Sequence, residues 1–151
     1  MKIIVFILFG IYIFSLSSYS QCDSLLYDDY MKEIDSNAII LKTFNVQLDK
    51  MDESGLTPFA KFPTNFEIGK KYEFIVVWDT VNYNSKAILQ HYYSKKDRII
   101  ATNYQMNKNI IHHSFYFQNP SVEKSEIWVN FEHGNAGCAV VVITEIKDKI
   151  E

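Results

Sequence analysis

The chain has 151 residues, 48% hydrophobic and 15% aromatic, with 15 Lys+Arg against 18 Asp+Glu and a formal net charge of -3. That length and apolar content suit one folded domain and exclude intrinsic disorder, while five Gly and three Pro exclude collagen-like or low-complexity architecture. A mildly acidic chain is not expected to take nucleic acid as its main partner.

Residues 1–20 begin with Met1-Lys2, continue as an apolar run from Ile3 to Phe14 and end in the Ser-rich stretch Ser15 to Ser20. This is the layout of a secretory signal peptide, with cleavage expected before Gln21. The apolar run is shorter than the roughly 20 residues that span a bilayer. Export is therefore expected, to the periplasm, the outer membrane or the exterior. Contact with a membrane is expected only if the signal is retained or Cys22 carries lipid. Cys22 and Cys138 are the two cysteines. An oxidising compartment favours a Cys22–Cys138 disulfide. Lipid on Cys22 is the other route, although Tyr19 and Gln21 stand where that modification calls for a Leu-like and a small residue.

After the signal, residues 21–37 form an N-terminal helical segment and 38–151 the main domain. Asp23 to Ser36 reads as the helix: Asp23 caps it, and Leu26, Tyr27, Tyr30, Met31 and Ile34 recur at helical spacing. It is expected against an edge or end of the domain. From Ile40 to Lys50 the period becomes two, with Phe44, Val46 and Leu48 on one face. Met51 to Thr57 is a loop, and Pro58 and Pro63 make the next segment irregular or a sheet edge. Tyr72 to Trp78 is almost wholly apolar, as a central strand is. Strands follow at Lys86 to Tyr93 and, after a tight turn at Ser94 to Asp97, at Arg98 to Thr102. Asn103 to Asn109 is polar again. Ile110 to Phe117 alternates again, and Glu126 to Glu132 places Ile127, Val129 and Phe131 inward with Trp128 and Asn130 outward. His133 to Gly137 is a hairpin loop whose two glycines are expected at positive φ, and Cys138 to Ile146 is a last strand apolar on both faces. About seven short strands without intervening helices predict an all-β antiparallel sandwich. No internal repeat is evident.

Four segments carry a resemblance: Phe66 to Phe74 around Gly69 and Tyr72, Lys86 to Tyr93, Ile99-Ile100-Ala101-Thr102-Asn103-Tyr104, and Gly137-Cys138-Ala139-Val140-Val141-Val142. Over roughly the last 90 residues the layout resembles small secreted jelly-roll-type sandwiches of Bacteroidetes. It is also similar to that of bacterial pre-peptidase C-terminal domains. The resemblance implies a jelly-roll-like fold and an envelope location, and no activity.

Chemistry-bearing residues are sparse. His112 and His113 are adjacent in a strand and point to opposite faces, His91 shares a face with Ala87 and Leu89 as a packed histidine does, and His133 opens the last hairpin. No metal spacing is present, and no metal or cofactor is expected. There is no nucleophile elbow, and Gly134 and Gly137 lack the helix N-terminus of a phosphate cradle. Asp79, Asn82 and Asn84 could offer oxygens to Ca²⁺ but lack acidic density. No catalytic residues are expected, with a small hydrolase as a distant alternative. The candidate ligand-binding residues are Trp128, Tyr116, Tyr92, Tyr104 and Asn130, aromatic and amide side chains at turn edges or on polar strand faces. They suit a non-catalytic secreted or envelope binding module for a protein or glycan, with Trp128 largely exposed. The alternative is a periplasmic accessory, inhibitor or immunity-type protein using the loop from His133 to Gly137.

Overall fold

A computed structural model describes residues 24–34, 38–118 and 124–147. The expected signal peptide, its cleavage site and Cys22 lie outside the described residues. Among the described residues the chain is an all-β antiparallel sandwich with one α-helix, α1 (Ser24–Glu33). Its strands are β1 (Ile39–Leu48), β2 (Ala60–Thr64), β3 (Lys71–Trp78), β4 (Ala87–Tyr93), β5 (Arg98–Thr102), β6 (Tyr104–Gln105), β7 (Ile110–Ile111), β8 (Ser114–Gln118), β9 (Ser125–Phe131) and β10 (Gly137–Ile146). One sheet, called A, runs β1-β10-β3-β8; the facing sheet, B, runs β2-β9-β4-β5; β6 and β7 make a small separate hairpin. With that hairpin set aside, the strand orders are those of a jelly roll, two interleaved Greek keys.

Side-chain alternation builds the core. From sheet A, Val46, Tyr72, Phe74, Val76, Trp78, Val141 and Ile143 point between the layers. From sheet B, Ala87, Leu89, Ile127, Val129 and Phe131 meet them, and Phe44 stacks on Phe62 at 4.2 Å where β1 and β2 close one side. The strands β4 and β9 are buried at every second residue and half-buried between. β2 is an edge strand, which is where Pro63 can sit without losing a ladder bond.

β3 and β10 are buried on both faces for a different reason. α1 lies on the outer face of sheet A, where Leu26 and Tyr30, with Ile34, cover Ile75, Val77, Cys138, Val140 and Val142. The helix therefore roofs a face; it does not lie against an edge or end. Met31, expected in its apolar stripe, is exposed.

Four local devices hold the loops. At the corner before β3, Gly69 takes φ +77° and the backbone N–H of Glu67 donates to the Tyr72 hydroxyl at 2.8 Å. Tyr72→Phe is expected to cost about 1 kcal/mol in urea unfolding by stranding that N–H; an unchanged midpoint would show that water replaces the phenol. The β4–β5 and β6–β7 turns share one design. Each closes on a left-handed residue, Asp97 at φ 49° or Asn109 at φ 52°, to which the tyrosine five positions earlier, Tyr92 or Tyr104, donates its hydroxyl. Asp and Asn tolerate this conformation better than other side chains. The sequence thus holds a short repeat, and the polar stretch 103–109 is half of a hairpin.

At the strand break, Ile110 to Phe117 is two strands, β7 and β8, because the chain crosses between layers at His112 and His113. The two histidines are therefore not on opposite faces of one strand. Buried Asn103 staples this crossing: its side-chain oxygen accepts from Leu89 N–H at 2.8 Å, and its amide donates to the carbonyls of Ala87 (3.0 Å) and His112 (2.9 Å). In the final hairpin Gly134 has φ +68°, but Gly137 is not at positive φ. Gly137 is required because a Cβ there would lie 2.2 Å from Cδ1 of the Phe131 ring.

Candidate functional site

Sheet A's outer face is roofed by α1, whereas no described element covers the outer face of sheet B. Register arranges that face as rows of directly opposed residues. Lys61, Trp128, Gln90 and Thr102 form one row; Pro63, Glu126, Tyr92 and Ile99 form the next; Asn130 lies opposite Ile88. Of the sequence candidates, Trp128, Tyr92 and Asn130 therefore share this face.

Trp128 is half-buried, not largely exposed. From β4, Tyr92 stacks on it with ring centroids 4.0 Å apart and 25° between planes; from β2, the Lys61 ammonium sits 4.2 Å from its centroid. Phe59, just before β2, meets the same indole at 5.5 Å. The indole N–H donates to Glu126 at 2.6 Å. Tyr92 donates to Asp97, and the carboxylate it faces raises the phenol's pKa. The result is an aromatic diagonal, Phe59–Trp128–Tyr92, with Asn130 and Gln90 near it and an ammonium over its central ring.

The remaining candidates lie elsewhere. Tyr116 is 69% exposed on β8, opposite Glu73 in sheet A. Tyr104 packs against the core cluster and bonds Asn109 at 2.9 Å. Lys61 and Phe59 went unread because the segment between Pro58 and Pro63 looked irregular. Its signal was present: Ala60, Phe62 and Thr64 alternate with Lys61 and Pro63.

The other constellations are engaged internally. Asp79 accepts from the N–H groups of Val81 (2.8 Å) and Asn82 (3.0 Å) and from the Asn82 amide (2.7 Å). Burial alone would raise its pKa, but these bonds outweigh it and the net shift is downward. Its oxygens shape a turn. Among the described residues, no three His, Cys, Asp or Glu side chains converge in a manner that could hold a metal ion. His113 stacks on Trp78 at 3.9 Å. His91 is buried between the layers, its rim set by Phe66, Phe74 and Phe117. Its Nε2 shares a hydrogen bond with Ser125 Oγ at 2.8 Å, and that hydroxyl meets Thr64 Oγ1 at 3.2 Å. Nδ1 has no partner. A Ser–His contact can generate a nucleophile when a third group orients the base and substrate can reach the hydroxyl. Here Ser125 is 4% exposed and no carboxylate meets Nδ1, so the chain His91–Ser125–Thr64 acts as a brace across β4, β9 and β2.

The His133 to Gly137 loop is pinned rather than projecting: Met51 N–H donates to the Gly134 carbonyl at 2.7 Å, and Gly134 is buried. Compared with known proteins, the chain matches no family model and no characterised sequence.

Proposed function

We propose that this chain is an exported, non-catalytic binding module whose sheet B outer face contacts a protein or glycan through Trp128, Tyr92 and Asn130. The observation that supports the reading is the asymmetry of the sandwich among the described residues: α1 covers the outer face of sheet A, while no described helix lies over the half-buried aromatic and amide surface of sheet B. Large rigid rings in a polar surround supply contact area at low entropic cost.

Export also accounts for the cysteines. No free cysteine occurs among the described residues, and Cys138 lies beneath α1. Cys22 stands two positions before Ser24, where that helix begins, so a Cys22–Cys138 bridge would tie the helix to the start of β10. Intact mass of the exported protein tests this: a bridge removes two hydrogen atoms, and a lipid adds acyl mass on Cys22.

Trp128→Ala tests the face. Because the indole is half-buried and stacked, the variant is expected to lose about 1 kcal/mol of stability, well short of the 3–5 kcal/mol of a core aromatic. Retention on an envelope-extract and polysaccharide panel is expected to vanish. Full retention by a folded variant would overturn the assignment.

A further inference from the structure

The surface proposed above differs in charge from the rest of an acidic chain. Its carboxylates are already occupied: Glu126 receives the Trp128 indole N–H, and Asp97 the Tyr92 hydroxyl. Its cations meet rings instead of carboxylates, Lys61 over Trp128 at 4.2 Å and Lys96 over Tyr93 at 5.7 Å. Lys61, Lys96, Arg98 and Lys124 are all exposed, yet the ion pairs among the described residues are Lys32–Asp29 and Lys70–Glu145, remote from this face. Lys96 and Arg98 flank Asp97 at the β4–β5 turn on the Tyr93 side, Lys96 over that ring and Arg98 opposite Tyr93 in the ladder. Lys124 immediately precedes β9 and shares the parity of Trp128, at the Tyr92 end of the diagonal. Lys61 stands at its middle.

From these positions we infer that the partner of this face is an acidic polysaccharide, a polyuronate chain lying along the Phe59–Trp128–Tyr92 diagonal; the inference rests on the binding reading above. Composition favours a glycan over a protein. The cores of protein interfaces are depleted in Lys, whereas a Lys sits over the central ring here. The row of Lys61 and Trp128 continues into Gln90 and Thr102, the amide and hydroxyl partners that sugar hydroxyls need. Lys61 supplies the coupling. A cation over an exposed indole is weakly held, so the four-carbon side chain can swing from the Trp128 face to a uronate carboxylate. The ring face it vacates then takes the C–H face of the sugar. Lys124, of the same parity as Trp128, meets a carboxylate further along the polymer, and Lys96 and Arg98 add positive charge at the β4–β5 turn. Binding is accordingly salt-sensitive.

Affinity electrophoresis of the full exported protein in gels containing polygalacturonate, dextran or polyglutamate tests this. Polygalacturonate is expected to retard the protein, with a change in tryptophan fluorescence that disappears in Trp128→Phe, because the other tryptophan, Trp78, is buried. Dextran and polyglutamate are expected to leave mobility unchanged. Lys61→Glu, at an exposed position, is expected to weaken polygalacturonate binding about tenfold or more. Equal retardation by dextran would overturn the acidic requirement while leaving the face a glycan site. Equal retardation by polyglutamate would reduce the interaction to charge alone and overturn the polysaccharide. If polygalacturonate has no effect but an envelope protein is retained in a Trp128-dependent way, this inference fails and the binding face stands. Loss of all Trp128-dependent binding removes both.

Discussion

Asn103→Ala is expected to lower folding stability by about 4 kcal/mol, a large share of what a domain of this size possesses. The side chain is 1% exposed and serves three backbone groups, Leu89 N–H, Ala87 C=O and His112 C=O. Truncation strands all three, the Leu89 and Ala87 groups buried and the His112 carbonyl part-buried, each at roughly 1–3 kcal/mol. The main-chain bonds at this point, Asn103 N–H to Leu89 C=O (3.2 Å) and His112 N–H to Asn103 C=O (2.9 Å), survive the substitution. Asn103→Leu separates the two contributions, since it fills the space and still abandons the hydrogen bonds. Its loss in urea unfolding is expected to fall within about 1 kcal/mol of the Ala variant's, since unsatisfied polar groups, not the void, dominate. A small effect in both variants would refute the staple. The crossing it secures carries the chain from sheet B to sheet A through the β6–β7 hairpin, so hydrogen exchange there is expected to rise first.

Acidification is expected to cost the fold roughly 3 kcal/mol through His91 alone. Burial among aromatic rings pushes its pKa from 6.5 down to about 4. The unfolded chain therefore takes up this proton before the folded one does. The contribution is complete above pH 6.5 and is lost progressively as pH falls toward 4. Protonating the folded imidazole places a charge beside Phe66, Phe74 and Phe117, with only the Ser125 hydroxyl at hand. His91→Gln retains a hydrogen-bonding partner for Ser125 and carries no titratable proton. Urea midpoints of the native protein are expected to fall between pH 7.5 and 5, while those of the variant stay nearly level. Parallel curves for the two proteins would show that His91 is not the group responsible.

Period-two patterning made most strands legible. β4 and β9 alternate because one face of each meets the core, and His91 was readable as a packed residue from the company of Ala87 and Leu89. β3 and β10 were readable as interior strands from their unbroken apolar runs, but the cause was not: an amphipathic helix fits any apolar surface, and nothing in α1 names the face of sheet A. The same limit affected the candidate site. Alternation shows that Tyr116, Trp128 and Tyr92 share a wet parity within their own strands; it does not say which layer each strand joins. Tyr116 fell on sheet A, and Tyr104 packed on the core. Asn103 looked like a turn residue because its partners, Ala87, Leu89 and His112, are 9 to 16 positions away. The paired Tyr92–Asp97 and Tyr104–Asn109 turns are written in the sequence as a five-residue spacing. Glycines in hairpins often serve positive φ, but Gly137 is fixed by the Phe131 ring, whose partner strand the local sequence does not name.

Local chemistry thus specified the class of fold, the inward and outward residues of nearly every strand, and the shape of its turns, because each of these depends on neighbours one to five positions apart. Strand order, the helix's place over sheet A, the Asn103 staple, the Ser125–His91 bond and the meeting of Lys61, Trp128 and Tyr92 depend on which distant strands pair. Those pairings minimise the energy of the whole core, and no short stretch of residues contains that information.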